Sequence, residues 1–205
     1  RIGRLDIFPV QYNPAKHTLR VYEEIEAVVE FENADISATH DLRARYENLY
    51  YSSIGRSLAN YQGPANRDTL TSYPISYLIV SDPMFESQLQ PFIEWKTRQG
   101  FKVTVGYTND PQVGSSAAMI KNYIQGKYNN PGPGNQPPSF VLFVGDIQQI
   151  PAWNGYSGSH VTDLYYCEYT NDLLPEIYYG RFSAQNPNQL QPQIDKTLQY
   201  EQYTM

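Results

Sequence analysis

Apolar positions along this chain follow two regimes. Up to Phe31 they alternate with polar residues, whereas from Ser76 they come as short unbroken runs separated by stretches of helical spacing. In the first regime, residues 4–10 (RLDIFPV) and 18–31 (TLRVYEEIEAVVEF) predict strands with a turn at Tyr12-Asn13-Pro14. Leu19, Val21, Ile25, Ala27, Val29 and Phe31 take one face, and Arg20, Glu24, Glu26, Val28 and Glu30 the other. Period two with one polar face describes an antiparallel hairpin half exposed to water. A lone hairpin is marginal in water, so residues 1–32 read as the last strands of a β-rich domain. Residues 33–75 hold no sustained period and are broken by Gly55, Asn60, Gly63-Pro64 and Asn66, which reads as a connector.

The second regime, residues 76–205, alternates strand and helix. Tyr77-Leu78-Ile79-Val80 is a buried run, and Ser81-Asp82-Pro83 is a helix start. Phe85, Leu89, Phe92 and Ile93 recur at helical spacing until Gly100. A strand over 101–105 follows, then Ser115-Ser116 capping a helix with Ala118, Ile120, Tyr123, Ile124 and Tyr128 on its inner face. Phe140–Val144 has the apolar continuity of a strand buried on both sides, as in a parallel sheet. Ile177–Phe182 is a further strand, and Asn186-Pro187 opens a last helix carrying Leu190, Ile194 and Leu198. This order predicts an α/β fold: a doubly wound, mostly parallel sheet with helices on both faces, preceded by the β-hairpin.

Composition narrows the function classes. With 205 residues, 40% hydrophobic and 14% aromatic, the chain is globular. A net charge of −6 leaves no basic face for nucleic acid. No apolar run approaches the roughly 18 residues of a membrane span. Cys167 is the sole cysteine, so no internal disulfide forms. The chain opens at Arg1 without an initiator Met, which points to a processed or excised polypeptide.

Most catalytic motifs are missing. No G-x-G-x-x-G, G-x-x-x-x-G-K or G-x-S-x-G is present. Cys167 lies among Tyr165, Tyr166, Glu168 and Tyr169, where burial and negative neighbours oppose thiolate formation, so it reads as structural. His17, His40 and His160 fall in turn, connector and loop. The acidic stretch is the stronger signal. Asp146 follows the central strand, where open α/β sheets place ligands. Asp172 and Glu176, with the Leu174 carbonyl between them and a carbonyl of Tyr169 or Thr170 before, offer the mixed oxygen set that a hard cation such as calcium takes. Asp146 would close that set across the sheet edge. The plainer reading makes Asp172 and Glu176 ordinary turn acids.

The stretches YLIVSDPMFESQLQPFIEWKTRQGFKVTV, SSAAMIKNYIQGKYN, FVLFVGDIQQIP, VTDLYY, NDLLPEIYYGRFSA and IDKTLQYE, in this order over 76–205, resemble the gingipain family of secreted, caspase-like cysteine endopeptidases. The resemblance implies that 76–205 is the first, non-catalytic subdomain of a two-subdomain catalytic unit, and that residues 1–32 end a β-rich propeptide. It implies a structural calcium held by Asp146, Asp172 and Glu176 with the backbone of Tyr169 and Leu174. Thr170 stands where some relatives carry aspartate. The family's catalytic histidine and cysteine belong to the second subdomain, so this chain alone should be inert. The implied partners are the remainder of the same polypeptide and protein or peptide substrates, at a secreted or cell-surface location. Two rivals stand beside it: an inactive homologue serving as a surface or secretion-associated binding module, and a flavodoxin-like domain with a nucleotide or flavin at its strand ends.

Overall fold

The computed structural model describes residues 5–30, 32, 34–39, 58, 74–132, 135–158 and 160–203. Most of the connector expected at 33–75, including His40, lies outside them. The chain divides into two compact units, Arg1–Thr39 and His40–Met205.

The first unit holds a hairpin of β1 (Val10–Asn13) and β2 (Thr18–Val21), in the register Val10↔Val21 and Tyr12↔Leu19. The pairing sits further along the chain than the apolar alternation predicts. Asn13 causes the shift: its Oδ1 accepts from Ala15 N and Lys16 N, both at 3.1 Å, so the chain reverses over Pro14–His17 rather than at Tyr12–Pro14. His17 takes the left-handed conformation that ends the turn, with φ 49°. Residues 22–30, expected to prolong the second strand, form no ladder, and Ile25, Val28 and Val29 are exposed. Alternation alone does not make a strand when no described partner lies beside it.

The second unit is a parallel sheet sandwiched by helices. Its strands are β3 (Ser76–Ser81), β4 (Lys102–Tyr107), β5 (Pro138–Val144) and β8 (Tyr178–Phe182), in the spatial order β4-β3-β5-β8. All three pairings are parallel. Helix α1 (Glu86–Arg98) follows a 3₁₀ turn at Pro83–Phe85, where Asp82 Oδ1 accepts from Met84 N at 2.9 Å. Gly100, at φ +92°, ends that segment. Ser116 caps α2 (Ala117–Asn129) by accepting from Met119 N, and Asn186 caps α4 (Pro187–Glu201) by accepting from Gln189 N. Between β5 and β8 lie a small antiparallel pair, β6 (Trp153–Asn154) with β7 (Val161–Thr162), and a single-turn helix α3 (Leu164–Cys167).

Two buried clusters put helices on both faces, as the sequence predicts. Ile79, Leu142 and Val144 pack with Phe85, Leu89 and Phe92 and with Leu190 and Ile194, so α1 and α4 cover one face. Leu78, Val80, Val141 and Phe143 pack with Ile120 and Ile124 of α2 and Tyr166 and Cys167 of α3 on the other. Alternate residues of β3 and β5 point to opposite clusters, which is why those strands read as continuous apolar runs. At roughly 1.5–3 kcal/mol for each fully buried large apolar side chain, these two clusters dominate the favourable side of folding.

Candidate functional site

The carboxyl end of β5 carries the first predicted site residue. Gly145 has φ +135°, and a Cβ there would lie 2.7 Å from Gln149 Cβ, so only glycine permits the turn. The turn closes when Gln149 N and Ile150 N donate to Asp146 O at 2.9 and 2.8 Å. Asp146 N donates to Ala184 O at 2.9 Å, which docks the turn on the end of β8. The Asp146 carboxylate accepts from Gln185 Nε2 and Ile147 N, both at 2.8 Å, and from Ser183 Oγ at 3.2 Å. These donors, the Gln185 amide foremost, hold its pKa below the ordinary aspartate value although it faces solvent.

Arg181 fixes this edge from below. Its Nε and Nη2 donate to Asp163 Oδ2 and Oδ1 at 2.8 and 2.7 Å, and its Nη1 donates to Gly145 O at 2.8 Å and Ile150 O at 2.9 Å. The guanidinium also lies 5.5 Å from the Phe143 ring centre. Neither Arg181 nor Asp163 stands out in the sequence analysis. The usable signal was a lone arginine inside a strand whose neighbours are aromatic.

The other four predicted residues share the loop from α3 to β8. Glu176 accepts from Tyr169 N at 2.6 Å and Thr170 Oγ1 at 2.7 Å, and Glu176 N donates to Cys167 O at 2.8 Å. Asp172 Oδ1 accepts from Leu174 N at 2.9 Å. Asp172 N donates to Glu168 Oε1 at 3.1 Å; Glu168 is 7% exposed and joins the loop's acids without having been predicted. Asn171 and Leu173 hold left-handed φ of 59° and 63°, a conformation that non-glycine residues keep only where surrounding bonds impose it. The Tyr169 ring packs on Tyr128 at 5.3 Å, and its hydroxyl donates to Tyr166 O at 3.0 Å.

The structure therefore brings Tyr169, Asp172, Leu174 and Glu176 together and leaves Asp146 apart. Glu176 precedes the amino end of β8, whereas Asp146 follows the carboxyl end of β5, its parallel neighbour. The rise from Tyr178 to Phe182 alone is about 13 Å at about 3.3 Å per residue. A shared calcium would require both carboxylates within about 2.6 Å of it. Among the described residues, no three Asp, Glu, His or Cys side chains converge as a metal set. The loop's donors are nonetheless the hard oxygens that calcium prefers, and a carboxylate oxygen already accepting one hydrogen bond retains a second lone pair.

Cys167 is fully buried. Burial, then Asp163 and Glu176, push its pKa far above the ordinary thiol range. His160 lies exposed in the segment between β6 and β7, and His17 is an exposed partner of Tyr12 Oη in the hairpin. Neither arrangement activates the thiol. A cleft of about 110 Å³ opens at the amino edge beside Ser76, Lys102 and Lys127, the edge opposite to that used by nucleotide and flavin sites in open sheets.

Comparison with known proteins agrees with this architecture. Residues 70–205 match the model of peptidase family C25, and residues 1–51 match that of the C25 propeptide. Lys-gingipain of Porphyromonas gingivalis is 37% identical over 205 residues, all of this chain but 12% of the relative. Gingipain R2 of the same organism is 27% identical over 198 residues, which cover 94% of this chain and 26% of the relative. This chain thus spans a minor part of the length of these relatives. Two solved structures share the fold: one titled "Structure of Protease", with a TM-score of 0.61 and 39% identity over 64% of this chain and 29% of that one, and the Arg-specific cysteine proteinase gingipain R, with a TM-score of 0.54 and 25% identity over 68% and 30%. The sheet order, the hairpin and both family matches lead to one assignment: the chain belongs to peptidase family C25.

Proposed function

We propose that this chain is the non-catalytic portion of a gingipain-like cysteine endopeptidase, providing the end of a propeptide and a scaffolding α/β subdomain, while the nucleophile and its base lie in the remainder of the polypeptide. The observation that carries this reading is the state of Cys167. A peptidase nucleophile needs a thiolate, an adjacent base and access to a peptide carbonyl. Cys167 has a raised pKa, no exposure and, among the described residues, no histidine bonded to it. The reading places the intact protein outside the cell or on its surface, acting on proteins or peptides; among the described residues, no helix is long and apolar enough to cross a membrane. The purified chain should hydrolyse no peptide after Lys, Arg or any other residue. Thiol-dependent hydrolysis lost in Cys167→Ala would overturn the proposal.

We also propose that the 168–176 loop binds calcium as a structural ion, through the Asp172 and Glu176 carboxylates with backbone oxygens of Tyr169 and Leu174, and without Asp146. Support comes from the donor chemistry and from two left-handed non-glycine residues kept in a loop rich in acids. Bound calcium would neutralise the Asp172 and Glu176 carboxylates. Calcium should raise the melting temperature of the chain, Asp172→Asn and Glu176→Gln should abolish the rise, and Asp146→Asn should leave it. Equal melting with calcium and with chelator would reject the ion.

A further inference from the structure

Residues 76–205 hold seven Lys and Arg, and none of them lies in a loop. Lys96 and Arg98 belong to α1, Lys102 to β4, Lys121 and Lys127 to α2, Arg181 to β8 and Lys196 to α4. The two that stand at the very end of an element are tied as well. Gln99 N, in the peptide bond that follows Arg98, donates to Trp95 O at 3.0 Å, and Lys102 N donates to Ile75 O at 2.9 Å. A peptidase cuts chain that has opened, so its rate follows how often a segment opens, and helices and paired strands open least. This unit therefore offers no ready bond after a basic residue.

The tip between β6 and β7 is the opposite case. Tyr156 is 92% exposed, and Ser157 and Gly158 are exposed. Among the described residues, no hydrogen bond involves any of the three. The clamp lies just below them: Gly155 N donates to His160 O at 2.9 Å, and Trp153 and Asn154 pair with Thr162 and Val161. Exposed tips of small and polar residues are where chains are nicked most readily. Tyr156 adds a bulky aromatic side chain that a peptidase pocket can take. Rival positions are tied down. Tyr178 and Tyr179 belong to β8 and Tyr200 to α4, and a cut after Tyr203 would release only Thr204-Met205 from this chain. Leu173 holds a left-handed φ of 63°, and Leu174 N is bonded to Asp172 Oδ1.

We propose that the Tyr156–Ser157 bond is a processing site of this unit, cut by a peptidase that prefers an aromatic residue before the scissile bond, and that the two pieces stay assembled. Water supplies the hydroxyl to the Tyr156 carbonyl carbon and the proton to the Ser157 nitrogen, as in any peptide hydrolysis. The pieces hold because the cut falls between elements that bond across it. Strand β5 of the first piece pairs with β8 of the second from Phe140↔Tyr178 to Val144↔Phe182. Arg181 donates to Gly145 O and Ile150 O, Tyr166 Oη donates to Pro151 O, and Lys96 Nζ donates to Glu201. Each buried cluster also draws side chains from both pieces: the second contributes Leu190 and Ile194 to one, and Tyr166, Cys167 and Ile177 to the other.

Native digestion of the full chain, with cuts scored over residues 76–203 by mass spectrometry, tests the proposal. Chymotrypsin should cut after Tyr156 first, at least about a hundredfold faster than at any other bond of that range, and trypsin should cut nowhere in it on the same timescale. The two chymotryptic pieces should elute together from a sizing column and separate only in urea. Tyr156→Ser should remove the early cut and leave melting unchanged, because the ring is exposed. An early tryptic cut within 76–203, or a first chymotryptic cut at another bond of that range, would overturn the site. Pieces that part without denaturant would overturn the assembled two-piece unit.

Discussion

Asp163→Ala measures how firmly the end of β8 is tied to the turn after β5. Both side chains of the Arg181–Asp163 pair are 14% exposed, and the guanidinium makes four hydrogen bonds, two to the carboxylate and two to the carbonyls of Gly145 and Ile150. Alanine removes the carboxylate and leaves a buried cation with two donors unmet. The intact pair adds little net stability, because desolvating both ions offsets their attraction, but removing one partner costs about 3–5 kcal/mol. At about 2–4 °C per kcal/mol for a chain of this size, the melting temperature should fall by roughly 6–20 °C. Arg181→Met in the Asp163→Ala background takes away the orphaned cation and should recover about half of the loss. Full recovery is not expected, because the Gly145 and Ile150 carbonyls then lose their donor, at about 1–3 kcal/mol for a buried group left unpaired. Urea denaturation of the wild type, both single variants and the double variant completes the cycle. A single-variant loss below about 1 kcal/mol, the value for an exposed pair, would refute the reasoning. A double variant no better than Asp163→Ala would refute the coupling.

The remaining predictions are shorter. Glu201→Ala should destabilise the chain by on the order of 3 kcal/mol, because Glu201 accepts from Lys96 Nζ at 2.7 and 2.8 Å and Trp95 Nε1 at 2.8 Å, and its loss strands an ammonium 5.4–5.8 Å from the rings of Tyr77, Phe92 and Phe101; thermal melts check it. Burial raises the pKa of Cys167, Tyr77, Tyr166 and Tyr169, so stability should be full below about pH 8.5 and fall as pH rises through the ordinary thiol and phenol ranges, since the unfolded chain then releases protons that the folded one keeps. Urea midpoints from pH 7 to 11 that stay level would contradict this. The depressed Asp146 carboxyl contributes stability above the ordinary aspartate pKa and loses it as pH falls through the folded value. NMR titration should find Asp146 below that ordinary value, and Gln185→Ala should move it back up.

The parallel sheet was legible because its buried strands are unbroken apolar runs too short for helices and bounded by breakers. SYLIVS and PSFVLFV are apolar without alternation, and capping residues and glycines mark the intervening helices at Asp82, Gly100, Ser116 and Asn186. The hairpin was legible in kind but not in position. Alternation ran far beyond the segment that pairs, and the side chain of Asn13, not the apolar pattern, decided where the chain turns.

The acidic residues fail differently, because spacing along a chain does not say on which edge of a sheet a residue arrives. Once residues 140–144 and 177–182 are read as neighbouring parallel strands, the residue after the first and the residue before the second stand at opposite edges. Asp146 follows Val144 and Glu176 precedes Tyr178, so parallel pairing itself forbids their convergence. Any cation must then be assembled at one edge. At the carboxyl edge the Asp146 carboxylate accepts from the neutral donors Ile147 N, Ser183 and Gln185, and the turn beneath is already held by Arg181. At the amino edge Glu168, Asp172 and Glu176 belong to one short loop, each accepting from a backbone N–H of that loop. Their carboxylate and backbone oxygens are the hard donors that calcium takes. Hence the melting response to calcium should depend on Asp172 and Glu176 and be indifferent to Asp146, a division that follows from the direction of two strands.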